Sequence, residues 1–216
     1  MLWFELLKAS WETIYMVFIS GLIAALIGIP FGVILSSTSK NNLLENRMLH
    51  QILAGIANAT RSIPFIILLI AIIPFTRWLT GTSIGTTAAI VPLTIGAIPF
   101  VARLVEGSIN EVPIGLIEAG QAMGGSSWQI ILHILMPEAL PGIVNGITVT
   151  LVSLIAYSAM AGAVGGGGLG DLAIRYGYQR FEVQVMIMTI IVLILLVQII
   201  QYIGDRIVRH LALHIR

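Results

Sequence analysis

Cysteine is absent from this 216-residue chain, which excludes disulfides, thiolate metal sites and cysteine nucleophiles. Charge is scarce as well. Asp, Glu, Lys and Arg together make up 10% of the residues, where a soluble domain carries about 25%. So few charges cannot cover a water-exposed surface, whereas a surface against lipid needs no such cover. The net charge is +1, and the 11 basic side chains are spread along the whole chain. No basic patch results, and with it no case for nucleic acid as a partner. The four histidines (His50, His133, His210 and His214) are scattered. Only the last two stand at helical spacing, and they are expected to be interfacial residues rather than metal ligands. No paired nucleophile and base and no set of metal ligands stands out, so no catalytic residue is assigned.

What the chain has instead is apolar length. Hydrophobic residues make up 57%, and the mean hydropathy is +1.00. A helix needs about 20 apolar residues to cross roughly 30 Å of hydrocarbon. Stretches free of interior charge run over 13–39, 61–77, 78–102, 139–170 and 183–204, the second borrowing residues upstream of Arg61. Lipid offers a bare backbone no hydrogen-bond partner, so each is expected to be helical. The predicted fold class is an all-α membrane protein with five transmembrane helices, a single domain over 1–216. The start of the chain, interrupted by Glu5, Lys8 and Glu12, lacks the form of a signal peptide. It predicts an amphipathic lead-in with Trp3 and Trp11 at the interface.

Residues 103–137 are different in kind. Glu106, Glu111, Glu118, Gln121, Gln129 and His133 stand among Leu and Ile. The segment is too polar to span and too patterned for a loop, so short helices outside the bilayer are expected. Five spans put Lys8, Arg77, Arg175 and Arg180 on one side. Lys40, Arg47, Arg61, Arg103, Arg206, Arg209 and Arg216 fall on the other. Basic residues favour the cytoplasm, so the N-terminus is expected outside, with 103–137 and the C-terminus inside. The run Gly165-Gly166-Gly167-Gly168-Leu169-Gly170 follows a span rather than a strand and has no P-loop lysine. It is expected to be a flexible external turn, with a docking surface for another protein as the alternative.

One motif carries the functional reading. Glu118-Ala119-Gly120, three residues, Gly124, nine residues, Ile134, then Leu135-Met136-Pro137 resembles the EAA loop of ABC importer permeases. The departures are Gly120 for the usual second Ala and Met136 for the usual Leu. The resemblance implies a type I ABC importer permease fold whose cytoplasmic coupling helix sits in a groove of a separate ATPase. It assigns the coupling residues as Glu118, Ala119, Gly120, Gly124, Ile134 and Pro137. Gly124 suits a helix stop, and Ser126-Ser127-Trp128-Gln129 has the form of a capping box, so a helix–glycine–helix unit is expected.

The segment Arg61–Leu69 resembles the arginine–proline motif of amino-acid permeases in this superfamily, and Ile73–Arg77, Gly81–Gly85, Tyr157–Val164 with the glycine run after it, and Gly204–Arg209 resemble its methionine-importer branch. That branch implies a multi-pass protein of the bacterial inner membrane, transporting D/L-methionine by alternating access. It implies a second copy of the chain, two ATP-binding cassette subunits that hold the ATP and Mg, and an external methionine-binding lipoprotein. No cofactor is expected in this chain.

Met160 lies deep in the fourth stretch, with Ser153, Ala156, Tyr157, Ala163 and Val164 at helical spacing. Small residues allow close helix approach, so Met160, Tyr157, Ser153 and Ala156 are candidates for a gate on the translocation pathway. The competing role for Met160 is packing. Arg61 beside Pro64 is expected to snorkel or to satisfy carbonyls freed by the proline. Glu138 and Pro141 suit a helix start. A permease for a polar amino acid or quaternary amine would share most of these features. A secondary transporter would need carboxylates inside its spans, and the five stretches as bounded enclose none.

Overall fold

The structure, a computed structural model, describes residues 2–40 and 42–214, with the side chains of Leu2, Leu213 and His214 outside that description. Among the described residues there is no strand. The helices are α1 (Leu2–Thr38), α2 (Arg47–Ser62), α3 (Phe65–Ala71), α4 (Ile73–Thr80), α5 (Thr86–Asn110), α6 (Ile114–Ala122), α7 (Ser127–Ile130), α8 (Met136–Ala163), α9 (Gly168–Leu172) and α10 (Val183–His214). A π-helical stretch, Ile131–Leu135, joins α7 to α8 without a break, and a second, Ala173–Tyr178, follows α9.

Among the described residues four helices are long and apolar enough to cross a membrane: Trp3–Thr38, Thr86–Asn110, Ser127–Ala163 and Val183–Ala212. A fifth crossing exists if α2 and α3 count as one span bent by 100°. The second stretch is therefore not the single helix expected over 61–77. Pro64 is the reason. It lacks an amide donor and biases Ile63 away from helical backbone. Pro64 itself is extended (φ −55°, ψ 134°) and starts α3.

The other spans outrun their apolar stretches. The polar lead-in and the first stretch form one helix, α1. The 103–137 segment is only partly separate, because α5 continues to Asn110 and the helix of the fourth span begins at Ser127. Nothing in 103–110 breaks a helix, and Arg103 pairs with Glu106 three residues on at 2.7 Å. That leaves α6 as the one free-standing short helix in the segment.

The chain forms two compact units. In the unit comprising Ala25–Ser62, Ile98–Thr148 and Ile203–Arg216, glycines set the packing. A Cβ on Gly28 would lie 2.7 Å from Val101 Cβ, and one on Gly32 would lie 2.5 Å from the Ala102 carbonyl oxygen. The Gly142 position meets Ser108 at 2.8 Å, and Gly146 meets Leu104 at 3.0 Å. Each pair is spaced four apart on one helix face, the small-residue spacing that lets membrane helices approach closely.

In the unit comprising Met1–Ala24, Ile63–Ala97 and Val149–Tyr202, Met16, Leu93, Leu154 and Leu169 are fully buried. Buried hydroxyls bond to helix carbonyls: Ser20 donates to Ile90 at 3.3 Å, and Thr189 to Val185 at 2.8 Å. In this unit the glycine run is a packed hairpin rather than a loose turn. Gly165, Gly167 and Gly168 have φ of +86°, +77° and +75°. The Gly168 amide donates to the Glu12 carboxylate and the Leu169 amide to Thr13 Oγ1, each at 2.9 Å. Thus α1 satisfies two orphan amides at the start of α9, as a cap would.

Candidate functional site

The motif residues come together around α6. Pro113 precedes its first residue, and the helix ends as the glycine predicts. Gly124 has φ +80°. Its amide donates to the Gln121 carbonyl at 2.9 Å, and the Gly125 amide to the Gly120 carbonyl at 3.0 Å. These two bonds, six-to-one and five-to-two, form a Schellman motif. The next helix opens with the expected capping box. Ser126 Oγ accepts from the Gln129 amide at 3.4 Å, and the Ser126 amide donates to Gln129 Oε1 at 2.8 Å. The helix–glycine–helix unit is thus fixed at both ends by backbone bonding.

The motif residues divide into two sets. Gly120 is buried, and a Cβ there would lie 2.7 Å from Ile134 Cδ1 and 3.2 Å from Ile130 Cγ1. Gly120 and Ile134 are therefore the seat of α6 on the helix that follows. The missing methyl leaves room for the Ile134 and Ile130 side chains to pack against α6. Glu118, Ala119, Gln121, Ala122 and Gly124 are exposed, and Met123 is 80% exposed. Pro137 is exposed in the first turn of α8. Beside Gly120 and Met123 lies an open groove of about 510 Å³, with Gln129, Ile130 and His133 on its far wall.

The same unit is braced by polar contacts that the motif does not reveal. Arg103 donates to Glu106 at 2.7 Å, to Asn58 Oδ1 at 2.8 Å and to the Ala54 carbonyl at 3.2 Å. This ties α5 to α2. Glu106 is buried, so a carboxylate does sit inside a spanning helix, beyond the bounds drawn from sequence. It is held by Arg103 and is not the free group a proton-coupled carrier would need. Ser36 Oγ donates to Asn110 Oδ1 at 2.7 Å, joining the ends of α1 and α5. The signal for the arginine pair was present as Arg103 and Glu106 at helical spacing, but the assumed end of the span hid it. Arg61 lies over the Phe100 ring at 5.8 Å.

The second candidate set lies on α8 in the other unit. Ala156 and Met160 are exposed, Met160 at 45%. Ser153 is half-buried and returns its hydroxyl to the Val149 carbonyl at 2.9 Å. Val149 and Val164 extend the open stripe. Tyr157 is placed differently: its ring stacks on Phe65 with centroids 4.6 Å apart and planes within 8°. It is half-buried against the first residue of α3 rather than open as Met160 is. Among the described residues, no group of His, Asp and Glu side chains could hold a metal ion. His50 and His133 face helix carbonyls, of Leu35 at 3.0 Å and Gln129 at 3.1 Å. The His210–His214 pairing lies outside the described residues.

Apolar crossing helices, an open stripe on one of them, and a short helix presented on a glycine-terminated mount define a polytopic membrane protein. The chain belongs to the family of binding-protein-dependent transport system inner membrane components, whose model matches residues 28–213. It is 59% identical over 204 residues to the probable D-methionine transport system permease protein MetI of Vibrio cholerae, covering 94% of this chain and 91% of that one. The corresponding protein of Pasteurella multocida is 53% identical over 90% of this chain and 89% of its own. Among solved structures, an inward-facing MetNI methionine ABC transporter matches with a TM-score of 0.95 and 51% identity over 96% of each chain. The fold is that of the type I ABC importer permeases.

Proposed function

We propose that this chain is the membrane-spanning subunit of an ATP-driven importer of D/L-methionine in the bacterial inner membrane. It works as one transmembrane domain and does no bond chemistry itself. The observation that carries this reading is α6. A helix closed by a Schellman motif, seated by Gly120 on Ile134, leaves Glu118, Ala119, Ala122 and Met123 facing outward. Small exposed residues suit insertion into a groove of another protein, and a seat fixed in the backbone lets a push on α6 reach α8.

In this mechanism two ATP-binding cassette subunits hold the ATP and Mg. Their closure moves the two α6 helices of a permease dimer, and the pathway opens toward an external methionine-binding lipoprotein. Hydrolysis by the partners returns the pathway to the inside. Topology follows the basic residues: N-terminus external, α6 and the C-terminus cytoplasmic. Met160, with Ser153 and Ala156, forms the gate against the second copy, while Tyr157 holds α8 in place through Phe65. The identity to D-methionine permeases supports the choice of substrate.

The experiment is uptake of labelled methionine into proteoliposomes containing this subunit with its copurified ATPase and binding protein. ATP-dependent uptake that excess unlabelled methionine abolishes is expected. Uptake that ignores methionine and falls with histidine or betaine would instead identify a permease for another small solute.

A further inference from the structure

A partly enclosed cavity of the unit containing α9 lies away from both candidate sites. It holds about 230 Å³ and is lined by Glu5, Leu6, Leu172, Tyr176, Arg180, Val185 and Met188. Leu6, Leu172 and Val185 are buried and form an apolar floor with Ala9 and Leu169. Two opposite charges border it. Glu5 is half-buried, and among the described residues it makes no hydrogen bond and no ion pair. Arg180 lies over the Tyr176 ring at 4.4 Å and has no carboxylate partner among the described residues.

The neighbouring cation, Arg175, feels the Glu5 charge but gives its hydrogen bond elsewhere: it donates to Asp171 at 2.8 Å, and that bond raises its pKa above the ordinary value. Withdrawing a carboxylate partly from water without a hydrogen-bond donor is unfavourable. Here Glu5 and Arg180 line the same small cavity and do not pair with each other, so a ligand carrying both charges would satisfy both.

The surroundings favour lipid as the source of that ligand. Trp3, Phe4 and Leu7 are exposed at the start of α1, and Tyr178 and Phe181 just before α10. Exposed aromatics at the ends of spanning helices mark headgroup depth. The adjoining α10 has only 11% of its membrane window buried, and Ile187, Ile190, Ile191 and Ile194 are exposed along it. At about 230 Å³ the cavity suits a headgroup rather than whole acyl chains. The chains would follow the open isoleucines of α10.

We infer that this cavity binds the headgroup of a zwitterionic phospholipid with a primary ammonium, of the ethanolamine type. The ammonium donates to Glu5, and the phosphodiester is held by Arg180. A quaternary ammonium cannot donate to the carboxylate, and an anionic lipid offers Glu5 no cation.

Native mass spectrometry of the detergent-solubilised transporter complex tests this with dihexanoyl phosphatidylethanolamine, phosphatidylcholine and phosphatidylglycerol as competing probes. The wild-type protein should retain the ethanolamine lipid about tenfold over the other two, the value of one hydrogen bond to a charged group. Glu5→Gln should erase the preference over phosphatidylcholine. Arg180→Gln should weaken all three, and Met188→Trp should exclude them by filling the floor. Arg175→Gln, which breaks only the Asp171 pair, should leave the preference intact. Equal retention of the three lipids by the wild-type protein, a measurement that needs no variant to fold, would overturn the inference. So would displacement of the lipid by millimolar methionine, which would make the cavity an amino-acid site. Neither outcome bears on whether the complex imports methionine.

Discussion

Gly120 and Ile134 share one space: the methyl that Gly120 lacks would lie 2.7 Å from the Ile134 side chain's Cδ1. Fourteen residues apart in sequence, they are the contact that mounts α6 on the helix leading into α8. The nearest atom is the end of a flexible side chain, so Gly120→Ala should be tolerated after a small shift. Gly120→Leu cannot be absorbed that way and should cost about 1–3 kcal/mol, as overpacking does. Its functional effect should exceed its effect on stability, because α6 is pushed off its seat. ATP hydrolysis by the reconstituted complex should lose stimulation by loaded binding protein. Combining Gly120→Leu with Ile134→Ala should restore part of it. A double variant no better than the single one would mean that the seat does not transmit motion.

Gly124 and Glu118 separate backbone from surface. Nothing lies within 4 Å of a Cβ at Gly124, yet its φ is +80°, so Gly124→Leu meets strain and no clash. The left-handed conformation should cost about 1–2 kcal/mol, and Gly124→Asn less. Glu118 is exposed, so Glu118→Lys should change stability by less than about 0.5 kcal/mol. Both are expected to insert normally and to uncouple ATP hydrolysis from uptake. Unchanged stimulation in both would show that α6 is not the coupling element.

The Glu12 and Thr13 side chains cap the hairpin after α8, and removing either leaves a buried amide without a partner. Glu12→Ala and Thr13→Val should each destabilise by about 1–3 kcal/mol. Glu12→Gln and Thr13→Ser, which keep an acceptor oxygen, should lose less. Thermal unfolding in detergent with size-exclusion detection reads this order. Equal melting temperatures for Thr13→Val and the wild-type protein would show that the hairpin does not depend on the cap.

Four of the five expected spans were legible because lipid imposes one strong rule, a long apolar helix; the second was not, because Pro64 breaks it. The ends of those helices were not. Charge was taken as the end of a span, but Arg103 and Glu106 satisfy each other inside α5, and Glu12 meets the amide of Gly168. The α6 unit was legible down to its stop and its cap, because a glycine with positive φ and a Ser-x-x-Gln box are local devices. Gly120 was read as a surface residue for a partner. Its burial against Ile130 and Ile134 depends on how the chain returns on itself, which no local pattern states. The small-residue spacings Gly28/Gly32 and Gly142/Gly146 were a signal left unread: they mark close helix approach, though not which helix approaches.

Met160 and Tyr157, three residues apart on α8, offer a last test, because the structure gives them different surroundings. Tyr157 stacks on Phe65 at 4.6 Å, so Tyr157→Ala should lose about 0.5–1.5 kcal/mol beyond the buried area, and Tyr157→Phe should be nearly neutral. Met160 is 45% exposed on its own chain, so truncating it removes little internal packing. If two copies close the pathway with their Met160 side chains, Met160→Ala leaves a gap that water and solute can cross. Passive movement of labelled methionine should then appear in proteoliposomes without ATP or binding protein, with a melting temperature close to the wild-type value. A methionine that only fills packing space would give the opposite pair: a destabilised protein, by the roughly 2–5 kcal/mol of a buried Met→Ala change, and no leak. Measuring ATP-free flux and thermal stability on the same variant decides between them, since the partial exposure of Met160 predicts the first pair and burial would require the second.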